Sequence, residues 1–218
     1  MQASRPPRAT VVSRAAGLAA VLVLLAGCTG SADDAGGAAA VSSTTGLPTA
    51  VGAPTPRGPG CAIFPAAGPG SPGELAATPV AGAVGTNPQL STLTAAVLAA
   101  NLVDVVNSRQ DVTVLAPSDA AFDALGADAL PALLADVPRL TTVLTHHVIA
   151  GRLTAEQLPG EHRTLGGDTV TIAGPPDAPT VAAGQTLTGS APAALVCGDV
   201  PTANATVHVI DQVLAPAA

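Results

Sequence analysis

The stretch Val112-Thr113-Val114-Leu115-Ala116-Pro117-Ser118-Asp119-Ala120-Ala121-Phe122-Asp123-Ala124-Leu125 decides how the rest of the chain is read. Val112 to Leu115 are β-branched or large apolar residues suited to a strand, and Pro117 removes a ladder donor and stops it. Ser118 has the character of a helix N-cap, with a hydroxyl able to accept from backbone N–H groups of the next turn. Asp119 sets negative charge at the positive end of the helix dipole, and Phe122 and Leu125 fall one turn apart on an apolar face. A strand that turns straight into a helix is expected. Phe122 is one of two Phe in a chain without Trp or Tyr, which marks it as a core anchor.

Upstream, Asn87-Pro88 offers a cap and a first-turn proline. Leu90, Leu93, Val97, Leu98, Asn101, Leu102 and Val105 then recur at helical spacing and predict one continuous helix with its apolar stripe on a sheet. Downstream, a second helical region is expected to be broken by Pro131 and Pro138, with Leu140, Val143, Leu144 and His147 on one face. From Thr164 the chain turns β-like. Val170 and Ile172 alternate with Thr, Pro175-Pro176 and Gly184 punctuate, and Leu195-Val196 and Val207 to Leu214 are apolar runs of strand length. Helices first and strands later, with little βαβ alternation, predict an α+β fold.

The N-terminus reads as a targeting segment. Arg5, Arg8 and Arg14 precede an apolar run, Ala15 to Ala26, far shorter than the ~20 residues a membrane span needs. The run closes Leu25-Ala26-Gly27-Cys28, which resembles the bacterial lipobox, in which the Cys thiol is acylated and the chain is cut just before it. Residues 1–27 are thus expected to be a lipoprotein signal peptide and Cys28 the lipidation site, with ordinary cleavage and a free Cys28 thiol as the alternative. Losing the leader removes three of eight basic residues and none of fifteen acids, moving the net charge from -7 to -10. That balance excludes a basic nucleic-acid footprint. Residues 28–59 are dominated by Gly, Ala, Ser, Thr and Pro and are expected to form a disordered tether reaching roughly 30 Å. Residues 60–218 are of single-domain size.

Three blocks carry a resemblance to the fasciclin domain, an extracellular adhesion module. Val112 to Phe122 resembles its first signature block, with Leu115 replacing the usual Phe and Ser118 the usual Thr. The segment Val143 to Gly151 contains His146-His147-Val148, which resembles the family's Tyr-His motif with His146 in the Tyr position. Val207 to Pro216 resembles the closing block. Gly58-Pro59-Gly60-Cys61-Ala62, Asn87-Pro88-Gln89-Leu90, Val196-Cys197-Gly198 and Thr202 to Val207 are similar, more narrowly, to the single-domain fasciclin antigens of mycobacteria, which occur in secreted and lipid-anchored forms. The resemblance implies a wedge or sandwich of short strands with helices packed along it. It further implies a central last strand, with Val207, Val209 and Val213 in the core, and an adhesive or protein-binding role at the outer face of the cell membrane.

His146, His147 and Val148 are therefore the candidate binding motif, weighed against a structural role in which His147 is a buried residue donating to a backbone carbonyl. Adjacent His on a helix diverge by roughly 100 degrees, so no metal site is expected, and no Gly-rich phosphate motif points to a cofactor. Ser118, Asp119 and His147 contain the residue types of a hydrolase triad, without a Gly-x-Ser-x-Gly elbow. Asn204-Ala205-Thr206 matches the glycosylation sequon, but the lipobox points to a bacterium, where eukaryotic-type modification is not expected. Three Cys in a secreted chain leave one over. Acylation consumes Cys28, and Cys61 and Cys197 are expected to pair, as the mycobacterial likeness also implies. The expected partners are the membrane, through the lipid on Cys28, and extracellular or envelope proteins. The expected function is a lipid-anchored surface adhesion or binding module, not an enzyme. The alternatives are a carrier of a lipid or other small envelope ligand in an apolar cleft and, more remotely, a hydrolase.

Overall fold

A computed structural model describes residues 55–217. Cys28, the leader and nearly all of the expected tether lie outside the described residues.

Val112–Pro117 forms strand β1, and the helix α5, Asp119–Asp123, begins two residues later. All six positions of β1 are buried because it lies between two neighbours, antiparallel to β2 (Val148–Ala150) and parallel to β7 (Ala205–Ile210). The remaining strands are β3 (Gly160–Arg163), β4 (Thr169–Ala173), β5 (Thr180–Val181) and β6 (Ala193–Pro201). They complete a sheet of order β2-β1-β7-β6-β5-β4-β3. A bridge between Ile149 and Thr164, and the bond from Leu165 N–H to Val148 O at 2.7 Å, bring the two ends together, so the sheet curls towards a barrel.

Strand alternation divides the side chains between two apolar layers. Val112, Val114 and Ala116 of β1 and Val207 and Val209 of β7 face the helices, while Leu115 and Ile210 point inside the curl against Ile149, Val170 and Ile172. Val207, Val209 and Val213 are all core residues, and Phe122 is buried with the helix-side layer. Truncating Phe122 would cost about 3 to 5 kcal/mol. A largely antiparallel sheet whose strands, β1 apart, follow the helices, with those helices along one face of it, makes this an α+β fold.

The helical layer departs from the sequence reading in three places. The continuous helix expected from Leu90 to Val105 is two: α3, Ser91–Ala99, and α4, Val103–Ser108. Asn101 between them is left-handed, φ 58°, and a Schellman closure ends α3, with Asn101 N–H on Leu98 O and Leu102 N–H on Val97 O, both 3.0 Å. Asn tolerates this conformation better than most residues, and the apolar period runs through it unchanged. Ser118 does stand at the N-cap of α5, but its hydroxyl makes no capping bond; its backbone carbonyl accepts from Ala121 and Phe122. Asp119 caps a different helix, α3, accepting from Ser91 Oγ at 2.7 Å and Thr92 N at 2.8 Å. Finally, the helical region is interrupted between α6 (Ala129–Ala135) and α7 (Val137–His146), just ahead of Pro138, but Pro131 breaks nothing; each Pro sits in the first turn of its helix, where a missing N–H costs nothing.

Two short helices, α1 (Pro72–Leu75) and α2 (Val80–Gly85), precede α3. Ahead of them the chain leading into the domain lies along β6. Arg57 N–H and Gly198 O are 3.1 Å apart, Gly60 N–H and Val196 O 2.9 Å, and Cys61 is joined to Cys197 by a disulfide, Cα–Cα 4.8 Å. Such close backbone approach requires Gly58, φ 136°, where an added Cβ would lie 2.6 Å from Val196 O.

Candidate functional site

The His segment closes α7 and opens β2, and it faces inward. His146, His147 and Val148 are 1, 2 and 5 % exposed, so no side chain of the candidate binding motif is presented to a partner in this conformation. The cause is local geometry: α7 lays its apolar face on the sheet, and its C-terminal turn runs directly into the second strand of that sheet.

His147 is committed at both nitrogens. Nδ1 donates to Val143 O at 2.8 Å and Nε2 accepts from Leu214 N–H at 2.9 Å, which fixes the neutral tautomer. Burial, reinforced by the neighbouring His146, pushes its pKa down to about 4 against the opposing pull of the Val143 carbonyl. His146 turns the other way, Nδ1 2.7 Å from Asp168 Oδ2, with its Nε2 buried and unpartnered. Asp168 also accepts from the Thr164 hydroxyl and from Ala217 N–H at 3.1 Å. Burial opposes ionisation of Asp168, but these donors outweigh it and hold its carboxyl below the usual range.

Ser118, Asp119 and His147 do not assemble as a triad. Asp119 spends its two oxygens on Ser91 and Thr92, and His147 has no nitrogen left to serve as a base. Among the described residues no three His, Cys, Asp or Glu side chains converge as metal ligands.

An apolar cleft of about 350 Å³ opens between α2, α3 and α4 on one side and β1, β2 and the end of α7 on the other. Val84, Leu93, Val97, Leu102, Val114 and Leu144 supply much of its wall. Leu98, 61 % exposed, and Val105, 41 % exposed, also line it and stand where it meets solvent. Composition explains the space. With no Trp or Tyr, and with both Phe buried elsewhere, the walls are built from side chains too small to fill it. Most polar side-chain groups reaching the cleft are already engaged: Thr94 Oγ1 donates to Leu90 O, Thr145 Oγ1 to Thr141 O, Asn107 Oδ1 accepts from Ala81 N–H, and His147 is bonded at both ends; the Asn107 amide N–H groups are left for solvent or a ligand head.

Sequence reasoning missed the residue that holds the cleft walls together. Asn204, 3 % exposed, accepts from Val80 N–H at 2.9 Å and donates to Val106 O at 2.9 Å and Arg109 O at 2.8 Å. It ties the start of α2 to the end of α4 from the β6–β7 turn. The sequon is thus a structural pin whose amide is wholly occupied. Its only sequence signal is an Asn placed between two expected strands.

A profile of the fasciclin domain matches residues 88–216. The cell surface glycolipoprotein MPB83 of Mycobacterium bovis is 41 % identical over 219 residues, which cover 94 % of this chain and 95 % of that protein. The immunogenic protein MPB70 of the same species is 41 % identical over 192 residues, 84 % of this chain and 93 % of its own. Among solved structures, a FAS1 domain pair from the insect cell adhesion molecule fasciclin I aligns with a TM-score of 0.49 at 16 % identity, over 62 % of this chain and 50 % of that one. With more than half of its length matched by the profile and nearly all of it aligned to relatives at 41 % identity, the chain belongs to the fasciclin domain family.

Proposed function

We propose that this protein is a lipid-anchored binding module of the cell surface, meeting its ligand at the α2–α3–α4 cleft. In this reading the leader ends at Gly27, Cys28 carries the lipid, residues 28–59 hold the domain off the membrane, and the domain from residue 60 does the binding. The relative named a cell surface glycolipoprotein supports the anchor, because an alignment over 94 % of the chain reaches Cys28 whichever end it trims. No helix among the described residues is long and apolar enough to cross a membrane.

The observation that carries the binding face is the contrast between an open aliphatic cleft, rimmed by exposed Leu98 and Val105, and a His segment buried to within a few per cent. Uncovered apolar surface rimming a concavity is where proteins place ligands. The same cleft favours the carrier reading as the second one. The test is retention of material from envelope extract and matrix proteins on the immobilised mature chain. Leu98→Asp and Val105→Asp, on exposed positions, are expected to lower retention with melting unchanged; equal retention by these variants contradicts the assignment of the face.

A further inference from the structure

We infer that the cleft binds one straight hydrocarbon chain whose uncharged headgroup stays outside, as in a long-chain alcohol or a monoacylglycerol. The inference rests on the reading of this cleft as the binding face and names the ligand class.

Three observations point to this chemistry. The first is size: a methylene takes about the volume of a water in the liquid, ~30 Å³, so the cleft of about 350 Å³ holds roughly twelve carbons. It is too small for a two-chain lipid and ample for one chain. The second is the lining. Val and Leu side chains dominate, and Thr94, Thr145 and His147 already bond to the protein's own backbone, so apart from the Asn107 amide a polar ligand group drawn inside would lose its water without gaining a partner. A chain without polar atoms pays no such penalty.

The third observation concerns charge at the mouth. From Val80 to Ser108, the elements that wall the cleft on its outer side, the only ionisable residue is Asp104. No residue lining the cleft is an Arg or Lys, so a fatty acid carboxylate would find no ion-pair partner along its walls. A neutral head needs no such partner. The straight aliphatic chain is favoured over a flat aromatic ligand because the walls carry no Phe, Tyr or Trp to stack on.

The chain has no Trp or Tyr for a fluorescence readout, so calorimetric titration suits the test. The mature chain with Cys28→Ser, free of any acyl group of its own, is titrated with the 1-alkanols from octanol to hexadecanol and with dodecanoate. Affinity is expected to rise about four-fold per methylene and to level off near twelve carbons, with dodecanoate weaker than dodecanol. Val97→Phe, which places a ring in the cleft, is expected to move the plateau shorter by about two carbons, a displacement that mere loss of folding cannot produce. No binding across the series, a rise without a plateau, or a plateau that Val97→Phe leaves in place overturns the inference. If the alkanols fail while Leu98→Asp still lowers retention from extract, the ligand class is wrong and the binding face stands. If both fail, the face itself is wrong.

Discussion

The Nε2 of His147 accepts the backbone N–H of Leu214 at 2.9 Å, joining the end of α7 to the chain that follows the last strand across 67 residues of sequence. Both groups are buried, Leu214 completely. His147→Ala leaves Leu214 N–H unpaired and opens a cavity, and is expected to cost about 1 to 3 kcal/mol. Thermal or denaturant unfolding measures this. An unchanged midpoint, with ligand retention lost, would move His147 from scaffold to contact residue.

The same residue sets a pH dependence. In the folded state His147 resists protonation down to about pH 4, whereas in the unfolded chain it takes up a proton near pH 6.5. Its contribution is therefore fully present above pH 6.5 and is lost as pH falls towards 4, about 3 kcal/mol over that window. His208, also pushed down by burial, acts in the same direction. Asp119 and Asp168, held low by their donors, lose their contribution only at more acid pH, below the ordinary 3.8. Denaturant midpoints between pH 4 and 7 should fall with acidity, and His147→Ala should flatten the slope; a parallel slope in the variant would refute the assignment.

Asn204→Ala removes one acceptor and two donors that hold Val80, Val106 and Arg109. A loss of about 3 kcal/mol is expected, since three backbone groups lose their partner. Hydrogen exchange at the start of α2 and the end of α4 should quicken more than exchange in β1. Uniform quickening across the domain would mean that the pin is not local to the cleft.

Much of this architecture was legible in the chain. Val112 to Leu115 and Val207 to Ile210 read as strands because their apolar runs have no helical alternative, and Phe122 reads as core because so few large side chains compete. What escaped was set by contacts distant in sequence or by a residue compatible with either state. Leu98 and Val105 looked like core because the helical period passes unbroken through Asn101, whose left-handed turn ends α3 and redirects the chain into α4; both residues stand exposed at the cleft rim. Asn204 finds its partners some 95 to 124 residues away. The burial of His146 depends on Asp168, a turn residue between β3 and β4.

Cys61 and Cys197 enclose a sequence separation of 136 residues, for which chain entropy gives about 5 kcal/mol of stabilisation. Reduction should loosen the lead-in from β6 first, since Arg57 and Gly60 make few other backbone bonds to the sheet. Mass spectrometry after alkylation without reduction should find both thiols blocked. Two alkylated thiols would show the pair to be free in the mature protein.

Anchoring at Cys28 is the claim on which surface display rests, and detergent phase partition of the expressed protein tests it directly. The wild-type chain is expected in the detergent phase, with a mass showing acylation at residue 28. Cys28→Ala is expected in the aqueous phase or medium, or as uncleaved precursor. A Cys28→Ala protein that partitions into detergent like the wild type, with its leader removed, would contradict the account.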